Sequence, residues 1–258
     1  MKKPRSHHKK PPALPAALAK SLGNDLSNLP LHAYREVVEE LRDEMIDEVF
    51  AQAEEDEPAR ELRAAEQLAK ALSSSRMTKT EICLRLAFHL LKGRLVKSNV
   101  SVALDGAEAD RRNTQFPVQQ FMKSHGCDRV QEGEQDWRDL YVVPTAEFAI
   151  VLHAKPGVGD LTTTLADGRR LLVEASAGPV APTRSPIEHR VLRAAIGRAL
   201  TTEDADRNDV IAAAVPRSQR FRKLAVQWRS APRLMDSGLY IFTVDRAGQV
   251  EGAPFKRE

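Results

Sequence analysis

The sequence predicts an α/β protein, a mixed sheet flanked by helices and preceded by a helical N-terminal region. Three observations carry that expectation. Leu171-Leu172-Val173 and Val210 to Val215 are short apolar runs of the kind expected for buried strands. Between them, Ile187, Val191, Ala194, Ala195 and Ile196 recur at helical spacing. Asp167-Gly168, set between two strand-like segments, is a hairpin signal.

In chain order, residues 1–30 are rich in Lys, Pro and Ala and read as a disordered basic arm, with Lys2, Lys3, Arg5, Lys9 and Lys10 and no acid in the first twelve positions. Residues 31–75 read as an acidic helical region. Tyr34, Val37, Val38, Leu41, Met45 and Val49 form one apolar stripe, Pro58 breaks it, and Leu62, Ala65, Leu68 and Leu72 form a second. Positions 35–61 hold twelve acids against Arg35, Arg42 and Arg60, so this region is a candidate docking surface for a protein partner.

From residue 76 to 258 the pattern is that of one α/β domain. Thr78 or Thr80 can cap a helix that runs to about Lys92. Val100, Val102 and Leu104 alternate as a short strand ending at the Asp105-Gly106 turn. Pro117 to His125 reads as a small helix, and Gln131 to Asp139 as a polar loop. Glu147 to His153 and Asp160 to Ala166 read as strands, joined through the Asp167-Gly168 turn to a strand from Arg170 to Ala175. The helix from Pro186 to Leu200, the strand from Val210 to Val215, the helix from Ser218 to Ser230 and the strand from Gly238 to Val244 complete the order β-β-β-α-β-α-β.

Composition narrows the function classes. A chain of 258 residues with 42 % hydrophobic and 29 % charged residues suits a soluble globular protein with a sizeable core. Only Cys83 and Cys127 occur, without ligand spacing, so neither a disulfide scaffold nor a zinc finger is expected and the compartment should be reducing. No run of eighteen apolar residues is present, and Pro11, Pro12 and Pro15 interrupt the segment after the basic start, so a cytoplasmic location is expected. There is no phosphate loop GxxxxGK[ST], no GxSxG and no HExxH, which argues against a nucleotide-driven motor, a serine hydrolase and a zinc protease.

One constellation carries chemistry: Gly159-Asp160-Leu161, the Asp167-Gly168 turn, then Leu172-Val173-Glu174-Ala175-Ser176. Two acids on consecutive antiparallel strands can meet at one end of a sheet, and adjacent carboxylates are what Mg²⁺ or Mn²⁺ uses to polarise a phosphoryl oxygen and activate water. The plainer readings are a turn-capping Asp160 and a Glu174 on an edge strand. Glu174 is the harder to set aside, because a lone carboxylate in a buried strand is costly.

The acid, hairpin and acid-containing apolar strand resemble the PD-(D/E)XK superfamily, the restriction-endonuclease-like nucleases. The helix Arg190-Val-Leu-Arg-Ala-Ala-Ile-Gly-Arg-Ala-Leu200 and the strand Val210 to Pro216 resemble the helix and buried strand that come after the active site in that family, and the resemblance covers about residues 147–250. It implies a restriction-endonuclease-like fold and a Mg²⁺- or Mn²⁺-dependent DNA endonuclease serving defence, transposition or repair. It also implies that Asp160 and Glu174 are metal ligands and that Glu81, in the first helix, is a further acid of the site. The family lysine falls at Ser176, whose hydroxyl neither orients water nor offsets phosphate charge in the same way. Lys155, Arg190 and Arg193 are candidates to replace it. The alternative is a nuclease-like subunit that binds DNA or acts as a scaffold without cutting.

Between Arg169 and Arg233, thirteen Lys or Arg face six Asp or Glu, an excess of seven positive charges. Arg217, Arg220, Arg222 and Lys223, with Arg190 and Arg193 of the preceding helix, are the candidate phosphate contacts. A solvated basic surface is the plain alternative, and homo-oligomerisation is left open.

Overall fold

The computed structural model describes residues 59–104, 116–131, 138–153, 159–181, 187–202 and 205–255. The chain divides into two compact units, 1–61 and 62–258, and the second carries the elements below. The basic arm, most of the acidic helical region, Asp105-Gly106 and Lys155 lie outside the described residues.

Residues 62–73 are helical and lead to β1 (Arg76–Met77). Thr78 caps helix α1 (Lys79–Lys92), its hydroxyl accepting the Glu81 N–H at 3.1 Å. The helix is buried along Ile82, Leu84, Leu86, Leu90 and Leu91. Its last carbonyls are met by the chain itself: Gly93 N–H donates to His89 O, Arg94 N–H to Leu91 O and Leu95 N–H to Leu90 O. In that closing turn Arg94 takes the left-handed conformation (φ 54), a position glycine favours and one that costs other L-residues about 1–2 kcal/mol. The glycine sits one residue earlier because a Cβ on Gly93 would lie 2.9 Å from His89 O and 3.0 Å from Leu95 Cγ.

The remaining elements are β2 (Val100–Ala103), α2 (Val118–Ser124), β3 (Asp128–Gln131), β4 (Arg138–Val142), β5 (Ile150–His153), β6 (Leu161–Thr164), β7 (Arg170–Ala175), β8 (Gly178–Pro179), α3 (Ile187–Leu200), β9 (Val210–Pro216), α4 (Gln219–Arg229), α5 (Pro232–Asp236), β10 (Tyr240–Val244) and β11 (Val250–Glu251). Among the described residues nine strands form one mixed sheet in the order β11-β10-β9-β7-β6-β2-β5-β4-β3, and β1 with β8 makes a separate ribbon. β10, β9 and β7 run parallel, as do β2 and β5; the other neighbours are antiparallel.

The protein is therefore α/β, with a large mixed sheet flanked by helices. Leu171, Val173, Ala212, Ala214, Phe242 and Val244 pack on one face with α1 and α2. Ala213, Val215 and Ile241 pack on the other with Leu192, Ala195 and Ala199 of α3 and Phe221 and Ala225 of α4. The alternation follows from the two-residue period of a strand covered on both sides.

Two departures from the sequence expectation matter. The polar loop expected over residues 131–139 is bounded by paired strands, β3 and β4, at the edge of the sheet. They escape a hydrophobicity reading because Asp128, Val130 and Val142 face outward, while the buried Asp139 is held by Arg129 at 2.6 Å. The last strand begins at Tyr240, after Gly238 and Leu239 have turned the chain, and β11 adds a further edge. No helix among the described residues is long and apolar enough to cross a membrane.

Candidate functional site

The β6–β7 hairpin builds the site. Its turn is closed by Gly168 N–H donating to Leu165 O and Leu165 N–H to Arg169 O, with Gly168 at φ 94. The register Leu161↔Val173 and Thr162↔Leu172 then puts Asp160 across from Glu174 at the opposite end of the hairpin. Gly159 makes the approach possible. Its φ is 87, and a Cβ there would stand 3.1 Å from Val173 O and 3.4 Å from Val173 N, both immovable backbone atoms.

Asp160 is fixed at both oxygens. Oδ2 accepts the Ala175 N–H at 2.8 Å and Oδ1 takes Lys79 Nζ at 3.1 Å. Glu174 Oε2 takes Arg198 Nε at 3.1 Å. The same guanidinium donates through Nη2 to Ala175 O at 2.8 Å and to Ser176 Oγ at 2.7 Å. Lys79 and Arg198 thus reach the acids from helices that cover opposite faces of the sheet. Burial raises the Glu174 carboxyl above its ordinary range, and the Asp160 charge adds to the rise; Arg198 and Lys79 oppose it.

Family models, curated proteins and solved structures all give no match to this chain.

The structure brings Asp160, Glu174 and Ser176 together. Glu81 it places in a separate buried cluster, with Arg85 Nε at 3.0 Å and Arg246 Nε at 3.1 Å on its Oε1. Arg85 also donates to Arg246 O, while Arg246 donates to Ser74 O and Arg76 O, so Glu81 ties α1 to the β10–β11 turn and to the chain before it. Among the described residues no group of three His, Cys, Asp or Glu could hold a metal ion.

Half of the expected phosphate contacts are engaged within the protein. Arg217 pairs with Asp245 at 3.0 Å and Glu251 at 2.6 Å, Arg222 with Glu251 at 3.2 Å, and Arg220 lies 3.8 Å from the buried Glu188. Arg229, also on α4, donates to Ile241 O and Glu251 O. Arg190, Arg193 and Lys223 are exposed and have no carboxylate partner among the described residues. The expected cluster is therefore two populations, one that locks α4 to the sheet and one that faces solvent.

Lys79 and Arg198 are the site residues that sequence reasoning missed. Lys79 is 81 positions from Asp160, and nothing in its own neighbourhood marks it beyond its place after a cap residue. Arg198 lies further along the helix whose Arg190 and Arg193 the sequence offers as replacement cations.

Proposed function

We propose that the chain is a restriction-endonuclease-like phosphodiesterase that cuts DNA with Mg²⁺ or Mn²⁺ held by Asp160 and Glu174. One observation carries this reading: the hairpin register sets two carboxylates across from each other at its end, near enough for the Asp160 charge to raise Glu174. The donor set fits, because Mg²⁺ is commonly held by one or two carboxylates and completes its shell with water and substrate phosphate. Glu174 Oε1 has no hydrogen-bond partner among the described residues. When bound, the metal supplies Lewis-acid polarisation of the phosphoryl group and lowers the pKa of its water.

The chain's own residues do the rest. Asp160 is held rigid by the Ala175 N–H. Lys79 stands where a cation can offset phosphate charge and orient a water, the task for which Ser176 is unsuited. Arg198 positions Glu174 and fixes the Ser176 hydroxyl, and Arg190, Arg193 and Lys223 are free to meet the DNA backbone.

A second reading, DNA binding or scaffolding without cleavage, is favoured by the same cations. Lys79 and Arg198 each occupy a carboxylate and would have to yield to a metal. The experiment is Mn²⁺ titration by calorimetry together with plasmid cleavage, for the wild type, Asp160→Asn and Lys79→Met. Cleavage abolished by Asp160→Asn and lowered about 10²–10⁴-fold by Lys79→Met supports the nuclease. DNA binding without Mn²⁺ binding or cleavage supports the scaffold, and neither activity sinks both.

A further inference from the structure

Helix α1 ends, at Lys92, between two cavities of about 500 and 660 Å³ that share Lys92, Gly93, Leu95 and Phe255 as walls. The combined lining contains five cations (Arg85, Lys92, Arg94, Arg169 and Arg246) and one acid, Asp167. Three of these cations are already compensated: Glu81 takes Arg85 and Arg246, and Asp167 takes Arg169 at 2.7 Å. Lys92 and Arg94 have no carboxylate partner among the described residues, and Lys92 Nζ lies 5.4 Å from the centre of the Phe88 ring.

Helix capping does not account for both charges. The carbonyls of the last turn already have backbone donors, and the helix end carries only about half a negative charge, which Lys92 alone offsets. Arg94 is the more telling residue. It occupies the left-handed closing position that glycine would fill without strain, and it is exposed, so no packing recompenses the conformation. The closing bonds to Leu90 O and Leu91 O explain the turn but not the choice of Arg over Gly at its left-handed position, and a strained residue without a structural reason is a pointer to function. His125, in the wall of the smaller cavity, is held below its ordinary range by burial, with the charges of Lys92 and Arg85 acting the same way against the Phe121 carbonyl bond. Lys92 and Arg85 thus place positive charge near His125 at this wall.

We infer that these two cavities form a phosphate-binding groove, gripped by Lys92 and Arg94, for a phosphate-bearing ligand. Its source is either the backbone of a single nucleic-acid strand or a free mononucleotide. The groove does not rest on the acid pair, which neighbours Lys79 at the other end of the helix, about 20 Å away for fourteen residues.

The test uses the full chain in EDTA, with Arg94→Gly and Lys92→Gln. Probes are a fluorescein-labelled single-stranded 12-mer followed by anisotropy across salt, and AMP followed by calorimetry. Expected results are binding weakened at least about five-fold by each substitution and, for the 12-mer, a salt slope lower by about 0.7 per residue. Arg94→Gly should at the same time raise the thermal midpoint, so misfolding cannot explain its lost affinity. AMP should raise the His125 ring pKa in NMR titration of the wild type and not of a variant combining Arg94→Gly with Lys92→Gln. Competition of AMP with the 12-mer identifies a mononucleotide site; 12-mer binding that AMP does not disturb identifies a strand. Wild-type protein that binds neither probe, variants that bind as the wild type does, or Arg94→Gly that lowers the midpoint would each overturn the inference.

Discussion

Glu174 ionises against its surroundings, because the folded state shields it from water and sets Asp160 beside it. A carboxyl raised in the folded state favours the protonated form. Its contribution is fully present below the ordinary glutamate range and is lost as pH rises through the raised value. Glu174→Gln should therefore be more stable than the wild type near pH 7, with the difference vanishing as pH falls into the ordinary glutamate range; thermal melts across pH read this. If Asp160 and Glu174 hold Mn²⁺ as proposed, the ion should restore the wild type and leave the variant unchanged. Glu81 is buried and pairs with two guanidinium groups. Glu81→Ala strands those cations and should cost about 3–5 kcal/mol in urea denaturation. If that loss is absent while Mn²⁺ affinity falls, Glu81 is a ligand after all.

At the scale of elements, the β6–β7 hairpin and the first turn of α1 together make the site, and each depends on one small feature. Gly159→Ala has to push a Cβ against the β7 backbone at positive φ, so it should destabilise by about 1–2 kcal/mol or more and weaken Mn²⁺ binding as Asp160 moves. Thr78→Ala removes the cap and should cost about 1 kcal/mol, fraying the turn that carries Lys79. The hairpin was legible in the sequence because Asp167-Gly168 and the run Leu171 to Val173 are local signals with a fixed period. Local cap chemistry narrowed the start of α1 to Thr78 or Thr80, and the structure selects Thr78. Lys79 and Arg198 were not, since a salt bridge between distant segments leaves no periodicity. β3 and β4 were hidden because the edge strand β3 exposes Val130 while its neighbour β4 buries Asp139, inverting the usual pattern.

For the whole molecule, coverage of the sheet decides which parts open together. β7, β9 and β10 have helices on both faces, whereas β3 and β11 are edges. Amides of the central three should exchange only through global unfolding, and those of β3 and β11 orders of magnitude faster; equal protection across the sheet would contradict this layering. The α/β class could be read from alternating apolar runs and amphipathic helices. The nine-strand width could not, because much of it comes from short strands of two to five residues. At the centre, β9 presents Ala212, Ala213 and Ala214 in succession, all fully buried between the two layers. With walls on both sides, these methyl groups leave no slack for growth. A saturation scan should find there a narrow band of intolerance, where even Val is rejected.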